Sequence, residues 1–270
     1  MTDLDRNNSK HAGSPGWALI LGGSHGLGLA TAKKLASAGY GLLVLHRDRK
    51  ADLPAIEKEF ASIRSEGGKC HTFNADALNK EMREEILSRF TEIMGDEGRI
   101  KVVVHSIAKG NLKPMTGEGP LLDHQDLILT LEAMAISLYD WIRLLLDKEM
   151  MAQDCRVIAF TSEGNSRAIP NYAAISSAKA ALEALCRNMA AELAPQGVRV
   201  NCIQAGVTDT RSLRMIPGSE ELLRTARSRN PSGRLTLPED VANAVYLLTL
   251  DEAKWITGTT IKVDGGESLR

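Results

Sequence analysis

The residues of this chain that could do chemistry fall in two places. One is the turn Gly22-Gly23-Ser24-His25-Gly26-Leu27-Gly28, spaced GxxxGxG. Glycine serves where a backbone must turn tightly and where a side chain would block a pyrophosphate. The helix that follows offers free N–H groups and the positive end of its dipole to phosphate oxygens. The other place is Tyr172, which precedes Lys179 by seven positions. Seven residues turn about 700° at 3.6 per turn, so the hydroxyl and the ammonium share one helix face. An unperturbed tyrosine titrates near a pKa of about 10, and a nearby cation eases its participation. A phosphate cradle and a hydroxyl beside a cation suit proton or oxyanion chemistry on a phosphate-bearing ligand.

These groups need elements to hold them. Trp17–Leu21 is a short continuous apolar run, as a buried parallel strand requires, and it leads straight into the glycine turn. Further strands are expected at 41–45, 69–73, 100–105, 156–161, 198–203 and 259–263. Helices are expected at 27–38, 52–66, 79–94, 125–150, 172–193 and 239–249, with a loop over 106–122 and an irregular stretch before Pro238. Strands alternating with helices imply an α/β fold: a single Rossmann-type, doubly wound parallel sheet of seven strands with helices on both faces. No linker or repeat divides the chain, so residues 15–270 read as one domain after a polar, disordered lead-in over 1–14.

Composition narrows the function classes. With 33 Lys+Arg against 34 Asp+Glu, the net charge of −1 argues against bulk attraction to nucleic acid or a membrane surface. No apolar run approaches the roughly 20 residues of a membrane span, and the N-terminus lacks a signal-peptide core. The four cysteines, Cys70, Cys155, Cys186 and Cys202, form no CxxC and no cluster with histidine. They read as reduced residues of a cytoplasmic protein without a metal site.

With the glycine turn in this place, the chain resembles the short-chain dehydrogenase/reductase superfamily over residues 15–268. Leu21 replaces the threonine that usually opens the turn. Asn74-Ala-Asp76-Ala77 looks like the adenine contact. Ala205-Gly206-Val207-Thr208-Asp209-Thr210 resembles the nicotinamide-side Pro-Gly-x-x-x-Thr. Ile256-Thr-Gly258 and Val263-Asp-Gly-Gly266 resemble the C-terminal signature. The typical Tyr-x-x-x-Lys pair is missing, because Ile175 stands four residues before Lys179. Met134 aligns where typical members keep an active-site asparagine, and His105-Ser-Ile-Ala108 replaces Asn-Asn-Ala-Gly. Tyr172-x6-Lys179, His105-Ser-Ile107 and Ile136-Ser-Leu-Tyr139 are instead similar to the enoyl-acyl-carrier-protein reductases. Ser162 stands where many of those enzymes carry a second tyrosine. That serine resembles the branch closer to typical members, and it is either a hydroxyl near the substrate carbonyl or a polar strand-end residue.

The resemblance implies reduction of trans-2-enoyl thioesters in fatty acid synthesis. Tyr172 would hydrogen-bond the thioester oxygen as it takes up charge, with Lys179 on the ribose hydroxyls and Ser162 as a further candidate. It places Gly22, Ser24, His25, Gly26, Leu27, Gly28, Asp76, Ala77, Ser106, Ile107, Gly206, Val207, Thr208 and Thr210 on the cofactor. Ala108 joins Tyr172 at the substrate. Strand two ends in His46-Arg47 where NAD-preferring folds keep an acid. Arg47, helped by His25, therefore suits the 2′-phosphate of NADPH. A substrate lid is expected over 208–234. Its Arg211, Arg214, Arg224, Arg227, Arg229 and Arg234 suggest a docking surface for an acidic acyl carrier protein. Relatives pair through the helices over 125–150 and 172–193, which implies a homotetramer. A ketoacyl or other carbonyl reductase and a silent NADP-binding regulator are the competing expectations.

Overall fold

The computed structural model describes residues 16–96 and 98–270, so the lead-in expected over 1–14 lies outside the described residues. Seven parallel strands form one sheet: β1 (Trp17–Leu21), β2 (Gly41–His46), β3 (Cys70–Asn74), β4 (Ile100–His105), β5 (Met151–Ser162), β6 (Arg199–Ala205) and β7 (Thr260–Val263). Their order is β3-β2-β1-β4-β5-β6-β7. The continuous aliphatic runs of β1, β2 and β4 are buried because helices cover both faces.

Side chains alternate across the sheet, as a period of two requires. Leu19, Leu21 and Val103 join Phe90, Trp141 and Leu182 on one face. That face is covered by α3 (Lys80–Met94), α5 (Ser137–Asp147) and α6 (Ala173–Leu193). Ala18, Ile20 and Val104 join Leu35, Phe60 and Val245 on the other. There lie α1 (Gly26–Ser37), α2 (Leu53–Ser65) and α9 (Pro238–Thr249). The strand order reverses between β1 and β4. In open α/β sheets such a switch point opens a crevice at the carboxyl ends of the strands.

Three elements differ from the sequence expectation. The helix expected over 125–150 is α4 (His124–Leu131), a π-helical turn over Glu132–Ile136, and then α5. A widened turn leaves no mark in apolar spacing; it depends on what lies beneath it. Here Ser137 Oγ sits 2.8 Å from both His105 Nε2 and Ala133 O. β5 begins at Met151 rather than 156, because its pairing with β4 shifts register between Ile100 and Val102. The irregular stretch before Pro238 contains α7 (Arg211–Arg214) and α8 (Ser219–Arg229). α8 is largely polar and buries only Leu223 and Ala226, so its apolar signal is weak.

Candidate functional site

A cleft of about 1130 Å³ opens at the carboxyl ends of the strands. Every site residue expected from the sequence lines it except Gly28, which packs behind the turn. Gly22 and Gly23 donate to Leu45 O at 2.8 and 3.1 Å, tying the turn to the end of β2. A Cβ on Gly22 would lie 2.7 Å from Ser106 O, and one on Gly28 would lie 2.2 Å from Gly22 O. Glycine is therefore required by backbone against backbone, and Ser106 is drawn close beneath the turn. His25 precedes α1 and makes no side-chain cap, which leaves the first N–H groups available. Ser24, His25, Gly26 and Leu27 carry this cradle into the cleft. The arrangement fits a dinucleotide pyrophosphate.

The adenosine end departs from the simplest expectation. His46, in the place of the usual acid, is 6% exposed and turns inward, where its Nδ1 lies 2.9 Å from Asp48 Oδ2. Arg47 stays largely exposed and pairs with Asp76 Oδ2 at 3.2 Å, beside Ala77. Basic and acidic groups thus meet at this mouth.

On the nicotinamide side, Ser106, Ile107 and Ala108 follow β4, and Gly206, Val207 and Thr208 follow β6. Val207 N donates to Glu267 Oε2 at 2.9 Å, and Thr208 Oγ1 donates to Gly206 O at 3.0 Å. Thr210 Oγ1 accepts from Leu213 N and caps α7. Its methyl lies 3.2 Å from where a Gly26 Cβ would be, so the loop after β6 rests on the glycine turn.

The Tyr-Lys pair occupies the middle of the cleft. Lys179, on α6, is buried and donates to Phe160 O at 2.7 Å. Burial pushes its pKa down from 10.5 to about 8. Tyr172 immediately precedes α6, and its hydroxyl lies 3.5 Å from Ser162 Oγ. Its ring passes over Gly164, where a Cβ would meet Cε1 at 2.5 Å. Burial raises the Tyr172 pKa and the Ser162 contact only partly opposes this. The cation was expected to ease ionisation, but desolvation governs the hydroxyl, so Tyr172 stays a hydrogen-bond donor. Ile175 turns into an apolar patch with Met134 and Ala178, backed by Leu112, Leu131 and Tyr172. The place of the missing tyrosine is therefore filled by packing.

Several contacts here had no signal in the sequence. His105 is fully buried, with Nε2 on Ser137 and no partner for Nδ1 among the described residues. Burial pulls its pKa down to about 3, with the nearby Lys179 adding to the effect. Glu163 lines the cleft wall and receives Arg229 Nη2 at 2.7 Å. Arg211 reaches His25 across 186 positions. No local signal announces such contacts.

The arginines of 208–234 are mostly committed to neighbours. Arg211 pairs with Asp52, Arg214 with Asp209 and Glu220, and Arg224 with Glu221. Arg229 pairs with Glu163 and Arg234 with Asp240. Arg227 alone of these lacks a carboxylate partner among the described residues.

A family profile described as "Enoyl-(Acyl carrier protein) reductase" matches residues 22–268, and the chain belongs to this family of the short-chain dehydrogenase/reductase superfamily. It is an oxidoreductase of the enoyl-reductase kind, with a nicotinamide-cofactor fold. The chain is 31% identical to the 1-cyclohexenylcarbonyl-CoA reductase of Streptomyces collinus, over 93% of this chain and 86% of that one. It is 30% identical to an NADH enoyl-[acyl-carrier-protein] reductase of Bacillus cereus, over 87% and 89% respectively. Among solved structures, the enoyl-[acyl-carrier-protein] reductase (NADH) of Aquifex aeolicus VF5 superimposes with a TM-score of 0.81 at 25% identity, covering 94% of this chain and 97% of that one. No helix among the described residues is long and apolar enough to cross a membrane.

Proposed function

We propose that this chain reduces the carbon–carbon double bond of trans-2-enoyl thioesters with NADPH. One observation carries the reading. The Tyr172 hydroxyl faces Ser162 in the cleft with Lys179 on the following helix, while Ile175 is part of the apolar wall of the same cleft and carries no hydroxyl.

When bound, the cofactor would supply a hydride to the β-carbon, and the α-carbon would take a proton from solvent. The chain supplies the rest. Gly22, Gly26 and the open start of α1 would hold the pyrophosphate, with Gly28 allowing the close turn. Asp76 and Ala77 line the adenine end, and Gly206, Val207, Thr208 and Thr210 the nicotinamide end. Lys179, held by Phe160 O, would present its ammonium to the ribose hydroxyls. Tyr172, kept protonated by burial, would donate a hydrogen bond to the thioester oxygen as negative charge develops there, with Ser162 fixing its hydroxyl. Such preorganised donation is the main electrostatic task of the reaction. Ile107, Ala108, Met134 and Ile175 would exclude water from the acyl group.

NADPH is favoured by Arg47, exposed at the mouth, with no acid at position 46. Charge-assisted contacts to phosphate are worth about 1.5–3 kcal/mol, so the preference over NADH should exceed about tenfold. The enoyl group would be carried as an acyl-carrier-protein thioester in fatty acid synthesis, or as a CoA thioester. An acidic acyl carrier protein would have to exchange for the exposed ion pairs of 208–234, which individually contribute little. The segment 208–234 would serve as the substrate lid. Exposed Leu127, Leu129, Ile136 and Tyr139 on α4, the π turn and α5 support self-association as a homotetramer. Four free, buried cysteines suit a reducing cytoplasm.

The test is NADPH oxidation with crotonyl-CoA beside acetoacetyl-CoA. Turnover of the enoyl substrate alone supports the proposal. Turnover of acetoacetyl-CoA alone makes the chain a carbonyl reductase, and turnover of neither leaves it a binding protein.

A further inference from the structure

Arg211 is the first residue of α7, at the root of the segment 208–234. Its guanidinium crosses the cleft mouth to the glycine turn and the start of α2. Nη1 lies 3.1 Å from His25 Nε2, and both Nη atoms lie 3.2 Å from Asp52 Oδ2. Both donors converge on a single carboxylate oxygen. The paired, two-oxygen geometry that makes arginine–carboxylate contacts strong is therefore not formed. The pair is also exposed, at 56% for Arg211 and 34% for Asp52, so it contributes little and exchanges readily. Asp52 makes no cap to α2, so its carboxylate has no local duty that would keep it there.

The backbone behind Arg211 is less free. The Thr210 methyl rests on Gly26 and its hydroxyl caps α7, which fixes where the guanidinium can reach. That reach ends at His25 of the glycine turn, whose Nε2 lies 3.9 Å from Asp48 Oδ1; Asp48 and Arg47 follow β2 and line the same cleft. The mouth then holds two half-satisfied guanidinium groups from distant parts of the chain, Arg47 and Arg211. Both are paired with carboxylates that a phosphate dianion could replace with more acceptor oxygens.

We propose that Arg211 is a specificity-determining ligand of the dinucleotide 2′-phosphate. Through it, phosphate recognition draws the root of the lid segment onto the cofactor. This rests on the NADPH reading above. In the absence of phosphate, Asp52 and His25 hold Arg211 in place. With phosphate bound, the guanidinium exchanges Asp52 for phosphate oxygens, and the segment is tied to the cofactor at its first helix. NADH, which lacks the phosphate, leaves Arg211 on Asp52.

The experiment measures dissociation constants of NADPH and NADH by nicotinamide fluorescence on the full chain. The proteins are wild type, Arg211→Gln, Arg211→Lys, Asp52→Asn and Arg47→Ala, with Arg227→Gln as a lid charge control. Arg211→Gln should weaken NADPH at least about tenfold and NADH less than about twofold. Arg211→Lys should fall between, since it keeps the charge and loses the fork. Asp52→Asn, which frees Arg211, should tighten NADPH, and Arg227→Gln should do nothing. In wild type, 2′,5′-ADP should protect 208–234 from limited proteolysis where 5′-ADP does not, and Arg211→Gln should remove the difference. An equal loss for both cofactors would make Arg211 a pyrophosphate or packing residue and overturn the proposal, as would no loss for either. If wild type binds the two cofactors equally, the NADPH reading itself fails. If wild type prefers NADPH and only Arg47→Ala abolishes the preference, the Arg211 assignment alone fails. Thermal melts of each variant establish that it is folded.

Discussion

Replacing Tyr172 by Phe removes one oxygen and nothing else. The ring remains over Gly164 and against the Met134–Ile175 patch. The lost partner, Ser162 Oγ, lies at 3.5 Å, the long limit of a hydrogen bond, so the resting protein loses little. Its stability should change by less than the ~1 kcal/mol of an ordinary hydrogen bond. NADPH binding should hold, because Lys179 is anchored independently on Phe160 O. The loss should appear in the transition state alone. Removing one donor aimed at a developing oxyanion typically costs about 2.7–4 kcal/mol, or roughly 10²–10³ in kcat. A second variant closes the alternative. Tyr172→Phe combined with Ile175→Tyr places a hydroxyl at the usual superfamily spacing. However, Ile175 is 6% exposed and packed on Met134 in the apolar wall of the cleft, so a tyrosine ring there meets side chains already in place and is not aimed as Tyr172 is. That double variant should not regain activity. The assay is NADPH oxidation with crotonyl-CoA, alongside cofactor binding by fluorescence. Near wild-type turnover in Tyr172→Phe with normal binding would refute the assignment, as would rescue by the tyrosine at 175.

Lys179 titrates near about 8 in the buried site, so its cation is present below that pH and lost above it. NADPH affinity, measured by fluorescence titration across this range, should fall as pH rises through about 8; a flat profile would show that the ammonium does not meet the cofactor. His105 has a folded pKa of about 3 against 6.5 in solution. The unfolded chain therefore binds the proton first, and stability should fall as pH drops from about 6.5, by at most ~1.4 kcal/mol per pH unit. Thermal melts of wild type and His105→Gln at successive pH values test this, and parallel curves would count against it. Gly28→Ala puts a Cβ 2.2 Å from Gly22 O, backbone against backbone. It should destabilise the protein by about 1–3 kcal/mol and abolish NADPH binding, as read by urea melts and fluorescence.

What the sequence determined by itself is what local chemistry dictates. The aliphatic runs of β1, β2 and β4 can only be buried strands covered on both faces, and strands alternating with helices then form a parallel sheet. The glycines at 22 and 28 are legible because backbone close approach tolerates no other residue, and Gly26 because the turn there takes a positive φ. Tyr172 and Lys179 are legible from the Tyr-x6-Lys resemblance together with a spacing that allows one face, and Ile175 because isoleucine has no proton to give. Tertiary structure decided what depends on partners far along the chain. His46 stands in the usual place of an acid, yet it packs inward against Asp48. The π turn leads into Ser137, which meets His105 32 residues away. The lid arginines read as a basic surface in sequence, but nearly all fold onto carboxylates from their own and other elements. Tyr172 lies near a lysine in sequence, yet desolvation raises its pKa. Each outcome is set by burial and long-range pairing, terms that sum over contacts the chain makes only once folded. Residue type and spacing specify which groups can react; the fold decides their charge, their partners and which of them face the cleft.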